Sequence, residues 1–230
     1  MLKFLNVLTN QPGMKQRNDP KALIGRLHAL VNDIEHQTPT LPFNELLVEA
    51  ITRLAQETDL PITDSLAEPF GNSAGSWLPF PDSIDALTRL KKYYPTLAIL
   101  SNIDNTSIRA TVEQRLAPVT FEGVYTAQDI GSYKPAIRNF EYLAGHLRQD
   151  HGVDCNQGEV LHVAHSLSAD HVPCKKLGWK SVWISRGEDE ATAHENVGGR
   201  QNVGYEWHFE TLGEFADEVE RQFSKTTKQQ

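Results

Sequence analysis

The chain reads as an α/β protein: a mostly parallel sheet covered by helices, with a helical segment ahead of it. Two observations predict this. Up to Leu90 the apolar residues recur at the three-to-four spacing of amphipathic helices. After Pro95 short apolar runs alternate with such helices through short connections, the pattern of strand-helix units that build a parallel sheet.

Asp19-Pro20 starts the first helix, with an acidic N-cap and proline in the first turn. Leu23, Leu27, Leu30, Val31 and Ile34 then line one face. Thr38-Pro39-Thr40-Leu41-Pro42 breaks the pattern. A second helix places Leu46, Leu47, Ala50, Ile51 and Leu54 together. Gly71 to Pro81 reads as a loop, and Pro81-Asp82 opens a third helix through Ile84, Leu87 and Leu90. Beyond Pro95 the texture predicts strands over 96–101, 122–126, 159–164 and 180–185, with 205–209 as a fifth. Helices are expected over 104–116, 137–150, 168–177 and 211–223. The charged, glycine-containing stretch from Gly187 to Asn202 is expected to be a mobile surface loop, and Ser224–Gln230 a disordered tail.

A chain of 230 residues can bury one core together with a small cap. Its 39% hydrophobic and 23% charged content is ordinary for a globular protein. The net charge of −8 argues against a nucleic-acid partner, because binding phosphates needs clustered Lys and Arg. No apolar run approaches the roughly 20 residues that span a bilayer, so no membrane partner is expected. The first eight residues are briefly apolar, but Asn6 and Asn10 interrupt the run a signal peptide would need. Cys155 and Cys174 are too few for a disulfide framework, which fits a reducing compartment and makes the cytoplasm the expected location.

Three places carry candidate chemistry. Ser101 and Asn102 stand where a strand emerges into a loop, and their hydroxyl and carboxamide can hydrogen-bond a carboxylate or a developing oxyanion. The plain alternative is a strand-to-helix cap, with Asn102 or Asp104 capping the helix from Thr106. Lys134 follows Gly-Ser-Tyr and precedes Pro135; taken alone it reads as a solvated lysine. Asp170 lies eight residues before Gly178 and could equally be an N-cap. His162, His165, His171 and Cys174 invite a zinc reading, but their spacing fits no common closed site.

Taken in order, Leu97-Ala98-Ile99-Leu100-Ser101-Asn102, the stretch Tyr125–Pro135, and Val160–Ala164 followed by Ser168-Ala169-Asp170 and Leu177-Gly178-Trp179 form a recognisable series. It resembles motifs II, III and IV of the haloacid dehalogenase (HAD) superfamily, most closely the 2-haloacid dehalogenase branch, over roughly Asp19 to Phe223. The resemblance implies a Rossmann-like core over 95–223 and an inserted helical cap over 19–94. Residues 1–18 stand where the first strand belongs, and 224–230 form the tail. It also implies a hydrolase without a cofactor, a small-molecule substrate, a homodimer through the cap helices, and an accessory role in secondary metabolism. Ser101 and Asn102 would bind the substrate carboxylate, and Lys134 would stabilise charge at the nucleophile. Asp170 would orient the lysine or act on the water that hydrolyses an ester intermediate. The branch usually carries Ser-x-Asn where His165 and Leu167 stand, and a tyrosine where Phe140 stands. These replacements remove hydrogen-bonding groups, which weakens the case for a 2-haloacid as substrate. The Gly-Asp pair of the magnesium-dependent phosphatases is missing from Ala164-His165-Ser166, so no metal is expected.

The family attacks carbon-2 with an aspartate at the end of its first strand, giving an ester that water hydrolyses. Phe4-Leu5-Asn6-Val7-Leu8-Thr9 can be laid over that motif, which puts Leu5 at the aspartate position. Leucine has no lone pair to donate. Either the first strand has degenerated over residues 2–9, or the strand and its aspartate precede Met1. The cost of unpaired backbone beside an empty central strand favours the second reading. A catalytically inactive binding or regulatory protein is the alternative function, and a phosphatase a weaker one.

Overall fold

A computed structural model describes residues 20–58 and 63–227, so the expectations for residues 1–18 and the Asp19 N-cap lie outside the described residues. In chain order the helices are α1 (Pro20–Gln37), α2 (Phe43–Thr58), α3 (Asp64–Gly71), α4 (Ser83–Leu90), α5 (Asn105–Ala110), α6 (Ala127–Ile130), α7 (Ile137–His151), α8 (Val172–Leu177), α9 (Glu190–Asn196) and α10 (Leu212–Thr227). The strands are β1 (Ala98–Ser101), β2 (Gly123–Thr126), β3 (Leu161–Ala164), β4 (Lys180–Ile184) and β5 (Trp207–Phe209). They fall into two compact units. The first holds the chain up to Trp77 with Asn102–Thr111 and Thr126–Tyr133; the second holds Leu78–Ser101, Val112–Tyr125 and the chain from Lys134 onward.

In the first unit the apolar stripes read from the sequence become its core. Leu23, Leu27, Leu30 and Ile34 of α1 bury against Leu46, Leu47, Ile51 and Leu54 of α2. The Thr38–Pro42 break is a turn, closed by Thr38 N donating to Ile34 O and Leu41 N to Thr38 O. No separate sequence signal marks α3, whose interior contains Pro69, a residue that normally argues against a helix. Phe70 of α3 is fully buried in the same core. Next to it, a Cβ on Gly71 would stand 2.4 Å from Asn44 O and 2.5 Å from a methyl of Val48. Gly71→Ala is therefore expected to cost about 1–3 kcal/mol, seen as a lower denaturant midpoint at unchanged slope.

The second unit contains the strands, apart from the last residue of β2. β3, β4 and β5 are parallel, with Leu161 opposite Lys180 and Val182 opposite Trp207. β1 pairs with β2 as a separate piece. The α/β class and the parallel pairing match the sequence reading; among the described residues the strands form two pieces. The reason is visible at the break: among the described residues no strand takes the free edge of β1 or of β3. Burial follows the pairing. Ser181–Ile184 of β4 are buried, whereas Ile99–Ser101 of β1 and all of β3 are only half-buried. α4 and α10 cover one face, with Ala86, Leu90, Phe215 and Val219 packed on Val182 and Ile184.

Two expectations are corrected. The stretch from Gly187 to Asn202 is not a structureless loop, because it carries α9 and a short 3₁₀ turn at Arg200–Asn202. Asp189 caps α9 by accepting from Thr192 N at 2.9 Å, and Ala193 is buried with Trp183 and Tyr205. Residues 224–227, expected in a disordered tail, instead extend α10, which runs to Thr227. No helix among the described residues is long and apolar enough to cross a membrane.

Candidate functional site

The candidate residues of the second unit gather at the carboxyl ends of β1 and β3, where open α/β sheets place their ligand sites. Lys134 Nζ donates to Asp170 Oδ1 at 2.7 Å and to Leu100 O, near the end of β1, at 3.0 Å. His162 Nε2, from β3, donates to the same Asp170 oxygen at 2.8 Å. Asp170 is 4% exposed and Lys134 9%, so this is a buried ion pair and not a solvated lysine. Burial alone would push the Asp170 carboxyl up, but the Lys134 ammonium and the His162 hydrogen bond hold it well below the ordinary carboxylate range.

Asp170 sits in a π-helical turn, Leu167–His171, ahead of α8. Ser166 caps that turn by accepting from Ala169 N at 3.1 Å, so the capping role considered for Asp170 belongs to Ser166. The next residue, His171, is fully buried; its Nε2 donates to Ala164 O at 3.1 Å and its Nδ1 lies 2.8 Å from Ser181 Oγ. Burial pushes its pKa down to about 4. Cys174 is buried too, and burial pushes its thiol up to about 12, which rules out a ready thiolate.

Ser101 ends β1, one residue beyond the carbonyl that Lys134 holds. Asn102 belongs to the first unit, where its Nδ2 donates to Glu35 Oε1 at 3.4 Å. The cap of α5 is Asp104, which accepts from Ser107 N at 2.8 Å. In the same unit Tyr133 OH donates to Leu41 O at 2.5 Å, and burial raises its phenol well above the ordinary range.

The departures from the resembled branch have structural roles. Phe140 is fully buried, with its ring centroid 5.6 Å from His162 and 5.8 Å from Trp179. His165 Nδ1 donates to Ile184 O at 2.9 Å, and its own carbonyl accepts from Trp183 Nε1 at 2.9 Å. Leu167 is buried beside Trp183. Among the described residues no three His, Cys, Asp or Glu side chains converge as a metal ion would need, and two of the zinc candidates are engaged elsewhere, His162 with Asp170 and His171 with Ser181 and Ala164.

A cavity of about 610 Å³ opens beside this cluster. It is lined by residues 97–100 along β1 and 160–164 along β3, with Lys134 and Asp170 on its wall. Sequence reasoning weighed His162 only as a zinc candidate and missed its contact with Asp170. The available signal was a lone imidazole inside an otherwise apolar strand, eight residues before a candidate carboxylate.

The chain matches no family model, and no curated protein matches it in sequence. Solved structures do match. An L-2-haloacid dehalogenase from Xanthobacter autotrophicus aligns with a TM-score of 0.73 at 18% identity, over 95% of this chain and 92% of that one. Another L-2-haloacid dehalogenase gives a TM-score of 0.76 at 16% identity, over 95% and 91%. A Bacillus subtilis protein named as a HAD-hydrolase, solved with magnesium, gives 0.65 at 15%, over 95% and 90%. The chain has the haloacid dehalogenase fold, as its motif order led us to expect.

Proposed function

Starting from a haloacid dehalogenase fold with a buried Lys134–Asp170 pair at the strand ends, we propose a hydrolase-type site for a small carboxylate. The ion pair carries this reading. A lysine ammonium held 2.7 Å from a carboxylate beside a cavity is placed to meet a further negative charge, whether on substrate or on an attacking carboxylate. Ser101, the last residue of β1, would supply a hydroxyl for the substrate's carboxylate. The Lys134 ammonium and the His162 hydrogen bond hold the Asp170 carboxyl below its ordinary range, so it faces the cavity ionised, where it would serve the hydrolytic step. It also fixes Lys134, with His162 fixing Asp170 in turn.

Laid over the resembled family's first motif, Phe4–Thr9 would put Leu5 at the nucleophile's position, so on that alignment the reaction needs an aspartate there. Halide release from 2-chloropropionate is expected from Leu5→Asp, well above that of the chain as written. Release by neither protein, both shown to be folded, would sink the dehalogenase-type reading. Saturable binding of 2-chloropropionate without turnover in both would establish the second reading, a binding or regulatory protein that keeps the pocket but not the reaction.

A further inference from the structure

An ionised Asp170 can only accept, so the imidazole of His162 carries a proton on Nε2, 2.8 Å from Asp170 Oδ1. In the neutral ring this fixes the tautomer, with the lone pair on Nδ1. Among the described residues no hydrogen bond engages that Nδ1. The side chain is 11% exposed and lines the cavity of about 610 Å³ together with Lys134 and Asp170. Phe140 packs beside the ring, 5.6 Å away between centroids. An imidazole braced at one nitrogen by a buried carboxylate and open at the other is the arrangement of a general base.

We propose that His162 is a general base for water, and that this chain hydrolyses carboxylic esters without a covalent enzyme intermediate. The proposal rests on the hydrolase-type site above but needs no carboxylate nucleophile. Water attacks the ester carbonyl carbon while His162 Nδ1 takes its proton, and the carbonyl electron pair moves onto oxygen. The charge of the Lys134 ammonium, on the same wall, stabilises that oxyanion. As the intermediate collapses, the bond to the alcohol oxygen breaks and His162 returns the proton to it. The products are a carboxylic acid and an alcohol. Asp170 serves this step through the ring that it orients. Ile99, Leu100, Leu116, Leu143 and Leu161 also line the cavity, so the ester it takes is apolar in its acyl or alcohol part.

The test is hydrolysis of 4-nitrophenyl butyrate by the full chain and by His162→Gln. Glutamine keeps an N–H for Asp170 but has no basic nitrogen, so a purely structural role would survive the change. The unaltered chain is expected to release 4-nitrophenol above the uncatalysed rate, with kcat rising with pH as the imidazole loses its proton. Lys134, Asp170 and His171 are the charged and titratable groups around that ring. Asp170 stays ionised through the assay, and His171, with a pKa of about 4, stays neutral. His162→Gln is expected to lower kcat about a hundredfold or more, leave KM nearly unchanged and remove the pH dependence. No hydrolysis by the folded chain, or an equal kcat in His162→Gln, would overturn the proposal. Should the variant fail to fold, hydrolysis by the unaltered chain is expected to slow in heavy water, where the base moves a deuteron; equal rates would count against it. Ester hydrolysis with no halide release from Leu5→Asp would sink the dehalogenase-type reading alone, and the reverse pair would sink this one alone.

Discussion

Replacing Lys134 with methionine is expected to cost about 3–5 kcal/mol of stability, the usual result of stranding one member of a buried ion pair. Methionine keeps most of the stem's packing, so the loss is electrostatic. Asp170 is 4% exposed and would keep only His162, on the oxygen the two donors now share. Burial would then dominate, and the carboxyl would rise toward its neutral form. Asp170→Asn should cost less in the Lys134→Met background than alone, because the second change removes the stranded charge. Denaturant midpoints of the two single variants and the double variant measure this. Costs that add within about 0.5 kcal/mol would mean the two side chains are not coupled.

The second large effect is acid sensitivity centred on His171. Its folded pKa of about 4 lies below the ordinary 6.5, so in the folded state the ring stays neutral. As pH falls, the unfolded chain takes up the proton first. Stability from this group is therefore full above about pH 6.5 and is lost as pH falls toward 4, by roughly 3 kcal/mol in total. Asp170 shifts in the same sense but in a lower window, beginning near the ordinary carboxylate pKa of about 3.9. His171→Gln cannot titrate. It is expected to flatten the fall in stability between pH 6.5 and 4 by up to about 1.4 kcal/mol per pH unit. An unchanged slope in equilibrium denaturation across that range would refute the assignment to His171.

The sequence carried most of the fold because the apolar periods of α1, α2 and the strands agree with the packing they make. It carried the Lys134–Asp170 pair only through motif order. Nothing within Gly-Ser-Tyr-Lys-Pro says that the lysine is buried, and 36 positions separate it from its partner. Three features were illegible for identifiable reasons. α3 contains a proline, and α9 is seven residues long with alanines as its only apolar side chains, held by Ala193 and a cap. The break in the sheet depends on which strands find a neighbour, which no local pattern records. His162 was weighed only as a zinc ligand and set aside on spacing, while its contact with a carboxylate eight residues on carries no local sequence signal.

Lys134 reaches Leu100 O and Asp170 from one nitrogen, so a single ammonium ties the end of the β1–β2 piece to the turn following β3. The charge proposed to serve the site also joins the two described pieces of the sheet. Evolution cannot remove one role and keep the other. In a chain of this fold that has lost its reaction, selection for folding alone would hold Lys134 in place.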